Sequence, residues 1–419
     1  MKKLTIALSA FIIAVALQDI RAAKPAPVLQ PGDLVAVCGD SITEQKLYSL
    51  HIQQYLLFCQ PAPGLMSMQF GWGGERAGGF VARVDNDVLP FKPTVATTCY
   101  GMNDGRYQRV NDETVAIYRS ATTESVHKLK AGGVRAIIVG SPGVVDPAGF
   151  KRAGASADDY NKTLAALRDA ARAVATAEGV LFADVHTPMM DAMTRAKAAH
   201  GEKYALARDG VHPGENGQLV MAYAFLKALG VSGDIGAYTV DYAAKRASAT
   251  GGHRVINYSD GLLHVESTRY PFCFTGEPNG SGTLAMTAFI PFNDELNRLL
   301  LVVKNAPAKT RVTWGGTQKT FTAAQLASGV NLAAEFPQNP FCAPFFEATK
   351  KLQAQQRFET DAIKGPLNSL IKWRRDLPDA EPEYKAITQK LFSKMSAQRE
   401  DSRAAVKPVR HQIKIEPAP

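Results

Sequence analysis

Between residues 31 and 230 the sequence alternates short apolar, β-branched runs with longer helical stretches, and this alternation narrows the possible folds more than any other feature. Residues 34–38 form one such run, stopping at Gly39-Asp40; residues 94–100 stop at Gly101. Residues 134–139 stop at Gly140-Ser141-Pro142, and residues 180–183 stop at Asp184. Runs without polar alternation are the pattern of strands buried on both faces. Residues 114–130 and 157–177, lying between them, carry helical composition. The pattern predicts an α/β fold: a doubly wound parallel sheet with helices on both faces, completed by a fifth strand near residues 66–70. In such sheets ligands bind beyond the carboxyl ends of the strands, so the residues just after each run are where chemistry is expected.

Four short motifs lie at those places or on a late loop: Gly39-Asp40-Ser41, Gly71-Trp72-Gly73-Gly74-Glu75, Gly101-Met102-Asn103-Asp104 and Asp209-Gly210-Val211-His212-Pro213. They supply a hydroxyl, a backbone N–H in a glycine loop, a side-chain amide, and a histidine with a carboxylate three residues ahead. An unassisted serine hydroxyl is a poor nucleophile and needs a base within hydrogen-bond reach. His212 is the candidate base, with Asp209 placed to fix its tautomer. Gly74 and Asn103 are candidate donors to an oxyanion. Each motif has an ordinary explanation when taken alone. Asp-Ser after a strand is a common helix cap, a glycine cluster makes a flexible loop, and Asn103 is a turn former. His186, at another predicted strand end, is the rival base. The four in one order, all on one predicted rim, carry the reading.

On these motifs, residues 34–230 resemble the SGNH hydrolases, or GDSL-like esterases, whose marker blocks centre on Ser, Gly, Asn and His. Ser41, Gly74, Asn103 and His212 match those centres. The resemblance implies a flavodoxin-like sheet, attack by Ser41 activated by His212 and Asp209, and an acyl-enzyme intermediate. It also implies an oxyanion hole of the Ser41 N–H, Gly74 and Asn103. Trp72-Gly73 departs from the Ile-Ser that many members carry there, leaving open which glycine of the loop turns its N–H inward. The extension beyond residue 230 is similar to that of exported SGNH proteins of polysaccharide-degrading bacteria. No cofactor is implied, and no residue spacing suits a metal site.

Residues 1–22 read as a secretory signal peptide: Lys2 and Lys3 precede the apolar residues 4–17, and the segment ends at Ile20-Arg21-Ala22. The apolar run is shorter than the ~20 residues that span a bilayer. The expectation is a secreted or periplasmic protein without a stable membrane span, with an uncleaved anchor as the alternative. The formal net charge is +9. From residue 345 onward there are 15 Lys/Arg against 10 Asp/Glu, but the signs are interspersed, as on a solvated helical face. An exported chain without a recognisable nucleic-acid motif is not expected to bind nucleic acid. Five scattered cysteines exclude a disulfide-built scaffold, although Cys273 and Cys342 offer one possible bond.

After residue 230 the grammar changes. Residues 254–258 and 262–266, joined through Ser259-Asp260-Gly261, read as a hairpin, as do residues 311–314 and 317–321 around Gly315-Gly316. Residues 285–290 and 299–303 are further strand candidates. Residues 345–406 read as helical, broken at Gly365-Pro366 and at residues 376–382, and residues 411–416 alternate like an edge strand. The expected organisation is therefore a hydrolase domain over 31–230 and an accessory β-rich module with a helical segment and terminal strand over 232–419.

The expected activity is hydrolysis of a small acyl ester, acetyl above all, on a carbohydrate. Trp72, Arg106 and Tyr107 are the candidate substrate contacts. The alternatives are a lipase, lysophospholipase or thioesterase of the same fold, and a carbohydrate-binding envelope protein whose hydrolase unit is vestigial.

Overall fold

The computed structural model describes residues 27–419, so the signal-peptide reading of residues 1–22 lies outside the described residues. Five strands, β1 (Leu34–Gly39), β2 (Met66–Gly71), β3 (Val95–Cys99), β4 (Ala136–Gly140) and β5 (Leu181–Ala183), pair in parallel in the order β2-β1-β3-β4-β5. This is the flavodoxin-like order, with its switch point between β1 and β3. Helices α1 (Ser41–Glu44), α2 (Tyr48–Gln54), α3 (Ala77–Asp87), α4 (Asp112–Ala131), α5 (Ala157–Glu178), α6 (His186–His200) and α7 (Glu215–Ala228) connect and flank the strands. Successive side chains of a strand point to opposite faces. Val35 and Val37 of β1 accordingly join the core with α2, α6 and α7, while Ala36 and Cys38 join the one beneath α3, α4 and α5. The long helices begin where polar caps permit: Asn111 accepts the Thr114 N–H ahead of α4, and Ser156 the Asp159 N–H ahead of α5.

Beyond α7 the chain builds two further sheets. Strands β6 (Asp234–Asp241), β7 (Arg246–Ala249), β8 (His253–Ser259), β9 (Leu262–Ser267), β10 (Arg298–Lys304), β11 (Lys309–Trp314), β12 (Thr317–Thr322), β13 (Val330–Asn331) and β14 (Val409–Pro417) follow in order. One sheet runs β13-β10-β6-β7, the other β12-β11-β14-β9-β8. Both expected hairpins form, with Asp260-Gly261 and Gly315-Gly316 at positive φ as a tight two-residue turn requires. Two expectations are corrected. Residues 285–290 are not a strand: Thr283–Met286 is a helical turn, and Ala285, Met286 and Ile290 are buried by its coiling. The terminal strand is central rather than at an edge, since β14 pairs with both β11 and β9. Its alternation buries His411, Ile413 and Ile415. Between the sheets Tyr238, His253, Ser267 and His411 share hydrogen bonds, and Trp314 Nε1 donates to His411 Nδ1 (3.1 Å).

The C-terminal helices return to the first sheet. The helix Cys342–Ala362 lies along β2, where Gln355 Nε2 donates to the Ser67 carbonyl (3.1 Å), a group an open sheet edge leaves unpaired. The expected break at Gly365-Pro366 is instead a π turn, Ile363–Leu367, through which the helix continues into Asn368–Asp376; the interruption comes at residues 377–380, where Pro378 stands, ahead of Glu381–Ala404. All five cysteines are buried free thiols; Cys273 Sγ donates to the Pro271 carbonyl (3.7 Å) and Cys342 Sγ to the Pro337 carbonyl (3.3 Å), and the two form no disulfide. Among the described residues, no helix is long and apolar enough to cross a membrane.

Candidate active site

The last paired rung of the first sheet runs Gly71, Gly39, Cys99, Gly140 and Ala183 across all five strands. Three of the four motifs leave the sheet from this rung. Asp40 leaves β1 extended, and its Oδ1 accepts the Ile42 N–H (2.9 Å), which caps α1 and puts Ser41 in its first turn. The adjoining strand ends press against this turn. A Cβ on Gly39 would overlap the Thr43 side chain, and one on Gly71 would overlap the Glu44 backbone. Only glycine allows that approach.

Ser41 Oγ lies 2.8 Å from His212 Nε2, and His212 Nδ1 lies 2.6 Å from Asp209 Oδ2. Asp209 Oδ1 accepts the backbone N–H of His212 (2.8 Å) and of Val211 (3.0 Å). A carboxylate only accepts, so the ring proton sits on Nδ1 and Nε2 is left to accept from Ser41. Burial pushes the Asp209 carboxyl up, but the hydrogen bonds from His212 and Val211 outweigh it and hold it at about 2. The loop carrying both residues is fixed from beneath by a residue the sequence did not single out. Asp146, fully buried, accepts the Leu206 N–H (2.7 Å), pairs with Lys197 Nζ (2.9 Å) and donates its own N–H to the Gly210 carbonyl (2.9 Å).

Asn103 follows β3. Its Nδ2 donates to the Glu75 carbonyl (3.0 Å), and the Tyr107 hydroxyl donates to its Oδ1 (3.1 Å). The remaining amide N–H faces Asp40 Oδ2 at 3.5 Å, the outer limit of a hydrogen bond, and is therefore available to a ligand. Gly74 takes φ +72°, and among the described residues the N–H groups of Ser41 and Gly74 are given to no protein acceptor. Asp104 ties the glycine loop to the Asn103 turn, accepting the N–H of Ala77 (3.0 Å) and of Gly101 (2.9 Å). Burial pushes Asp104 up to about 6 and Asp40 up to about 7. The far end of the glycine loop is anchored by buried Glu75, which takes a two-pronged bond from Arg83 (2.7 and 2.8 Å) and the Tyr100 hydroxyl (2.7 Å). Glu75 and Asp104 stand inside the motifs, but with no role signalled by the pattern; nothing in the sequence marked Asp146 or Arg83.

Ser41, His212 and Asp209 are thus joined by hydrogen bonds, while Asn103 is held at the Glu75 carbonyl, next to Gly74, and faces Asp40 beside Ser41. The three candidate substrate contacts are placed differently. Tyr107 holds Asn103. The Trp72 ring lies under Arg83 (5.1 Å) and Lys364 (4.9 Å). Arg106 is exposed and lines a small cavity with Arg76 and Ile117. The rival base, His186, is buried at the start of α6 with Nε2 against the Asn161 carbonyl (3.3 Å).

Residues 37–220 match the GDSL-like lipase/acylhydrolase family. Among solved structures the chain is similar to a gut microbial diltiazem-metabolizing enzyme, at 20% identity and TM-score 0.72, covering 93% of this chain and 98% of that one. It is also similar to an acetylxylan esterase from Geobacillus stearothermophilus, at 22% identity and TM-score 0.40, over 48% of this chain and 95% of that one. No curated protein sequence matches it. The first likeness spans nearly the whole chain, C-terminal sheets and helices included, and at that identity it speaks for the fold alone. Strand order, the motif-bearing rim and the family match agree: residues 37–220 form a GDSL-like lipase/acylhydrolase domain, and the chain is an ester-hydrolysing enzyme.

Proposed function

We propose that this enzyme is an exported serine esterase that removes small acyl groups, acetyl above all, from carbohydrate. The observation that carries the catalytic part is the unbroken chain Ser41 Oγ–His212 Nε2 (2.8 Å) and His212 Nδ1–Asp209 (2.6 Å). In this reading His212 takes the Ser41 proton as Oγ attacks the acyl carbonyl, and Asp209 stabilises the imidazolium that forms. The charge that develops on the carbonyl oxygen is met by the N–H groups of Ser41 and Gly74 and the free N–H of Asn103, such donors lowering a barrier by ~3–4 kcal/mol each. His212 then returns the proton to the leaving alcohol, leaving an acyl-Ser41 that water hydrolyses by the same steps in reverse order.

A sugar is supported by the lining of the cleft beside His212, where Gln45, Arg208, Glu215, Asn216 and Ser281 outnumber apolar side chains. These side chains can exchange hydrogen bonds with sugar hydroxyl groups, while Leu47, Leu206 and Pro213 give the cleft apolar faces beside them. Export is supported by the charged and apolar pattern of residues 1–22. The test is twofold: acyl chain length is varied on one alcohol, and acetate release is measured from acetylated polysaccharides. The reading expects acetyl esters to be turned over fastest and acetate to be released. A preference for C8 or longer esters would favour a lipase or thioesterase instead.

A further inference from the structure

The cleft beside His212 has two walls from distant parts of the chain. One belongs to the first domain: Gln45, just after the Ser41 helix, and Arg208, Asp209 and His212 from the late loop. The other belongs to the C-terminal region: Gly276, Ser281 and Gly282, from the loop between β9 and β10. The cavity they enclose measures about 590 Å³, room for more than an acetyl group. The second wall is preformed. Thr275 N–H donates to Thr283 Oγ1 (2.7 Å), and Leu284 N–H donates to the Thr275 carbonyl (2.9 Å), so the neck of the loop is closed. Gly276 and Gly282 meet inside that neck, where a Cβ on Gly282 would lie 2.5 Å from the Thr275 carbonyl oxygen. The loop is also tied to the first domain, because Thr275 Oγ1 donates to Glu215 Oε2 (2.7 Å).

The chemistry says which half of the ester this cleft receives. The carbonyl oxygen must face Asn103 and the glycine loop. The leaving oxygen must lie within reach of His212 Nε2, which protonates it. His212 and Asp209 line the cleft, whereas Ser41, Gly74 and Asn103 lie outside its lining, so the cleft adjoins the reacting bond on the His212 side. We propose that the alcohol half of the ester, a polyhydroxylated sugar unit, is seated between His212 and the loop around Ser281, so that the C-terminal region selects which alcohol is accepted. This rests on the carbohydrate-ester reading above and deepens it. Ser281 is an alcohol-selecting residue here, with no part in the bond-making steps.

The test is a ratio experiment on the full chain, because a ratio of kcat/KM values is independent of the fraction of enzyme that is active. Ser281→Trp fills the cleft, and Ser281→Leu fills it less. For Ser281→Trp, kcat/KM on an acetylated disaccharide relative to ethyl acetate is expected to fall about tenfold or more, the size of effect a few lost pocket contacts produce. Ser281→Leu is expected to fall between it and wild type. The ratio of p-nitrophenyl acetate to p-nitrophenyl butyrate, which varies only the acyl half, is expected to keep its wild-type value in both. An unchanged alcohol ratio in both variants overturns the proposal, and so does a shift confined to the acyl ratio. Wild-type enzyme that cleaves ethyl acetate but not the sugar ester would contradict the carbohydrate reading instead. The seat for the alcohol would then be judged on the ratio of p-nitrophenyl acetate to ethyl acetate.

Discussion

The amide of Asn103 has two ends of nearly equal shape, and only the nitrogen end can donate to an oxyanion. Tyr107 decides between them, since its hydroxyl donates to Oδ1 (3.1 Å) and the Glu75 carbonyl accepts from Nδ2 (3.0 Å). Tyr107→Phe removes the first contact and leaves the ring in its packing against Phe150 and Tyr160. One net hydrogen bond of about 1 kcal/mol corresponds to roughly a fivefold fall in kcat. KM should stay near wild type if the amide acts on the transition state; a raised KM with unchanged kcat would return Tyr107 to the role of substrate contact. The sequence made Ser41, Asn103, Asp209 and His212 legible because each stands inside a motif whose spacing sets its geometry. Tyr107 and Trp72 were legible only as residue types near the site. The orientation of a ring depends on partners such as Asn103, Arg83 and Lys364, the last of them hundreds of residues away.

Among the elements, the helix Cys342–Ala362 carries an unusual load of buried polar side chains. Ser49, Gln53 and Gln54 of α2 exchange hydrogen bonds with Thr349, Gln355 and Gln356 (2.7–3.0 Å), and Gln355 also donates to Glu359 Oε1 (2.9 Å). Glu359 is fully buried. Arg399, 3.8 Å away, does not offset the loss of water, and burial pushes the Glu359 carboxyl up to about 8. The folded state therefore keeps a proton that the unfolded chain releases near its ordinary 4.5. The stabilisation is complete below that value and is lost as pH climbs to about 8. Glu359→Gln keeps the hydrogen bonding but cannot ionise, so its melting temperature should gain on wild type as pH is raised from 5 to 8. A constant difference between the two proteins over that range would rule out Glu359 as the source. At this scale the sequence pattern located the five strands of the first sheet, both hairpins, β10, β14, the helices α4 and α5 and the C-terminal helical segment, and missed β6, β7, β13 and α3. It misplaced β14 at an edge because alternation reports one buried face and says nothing about how many neighbours a strand has. It read residues 285–290 as a strand because a short apolar run fits a strand or a buried helical turn equally well.

For the whole molecule, the alternation of runs and helices over residues 31–230 was enough to give the parallel sheet and its active rim. What it did not give is that the C-terminal region folds back twice, laying a helix along the free edge of β2 and a loop against the His212 cleft. Both contacts join residues 60 or more positions apart through side chains of ordinary composition, such as Gln355 with Ser67 and Thr275 with Glu215, and neither stands out in the sequence as a motif. The central claim is that Ser41 is the nucleophile and His212 its base. Turnover of p-nitrophenyl acetate by Ser41→Ala measures it most directly. The account predicts a fall in kcat of about 10⁴-fold or more in a protein that melts near the wild-type temperature. A folded Ser41→Ala enzyme that turns over the ester at the wild-type rate would contradict it.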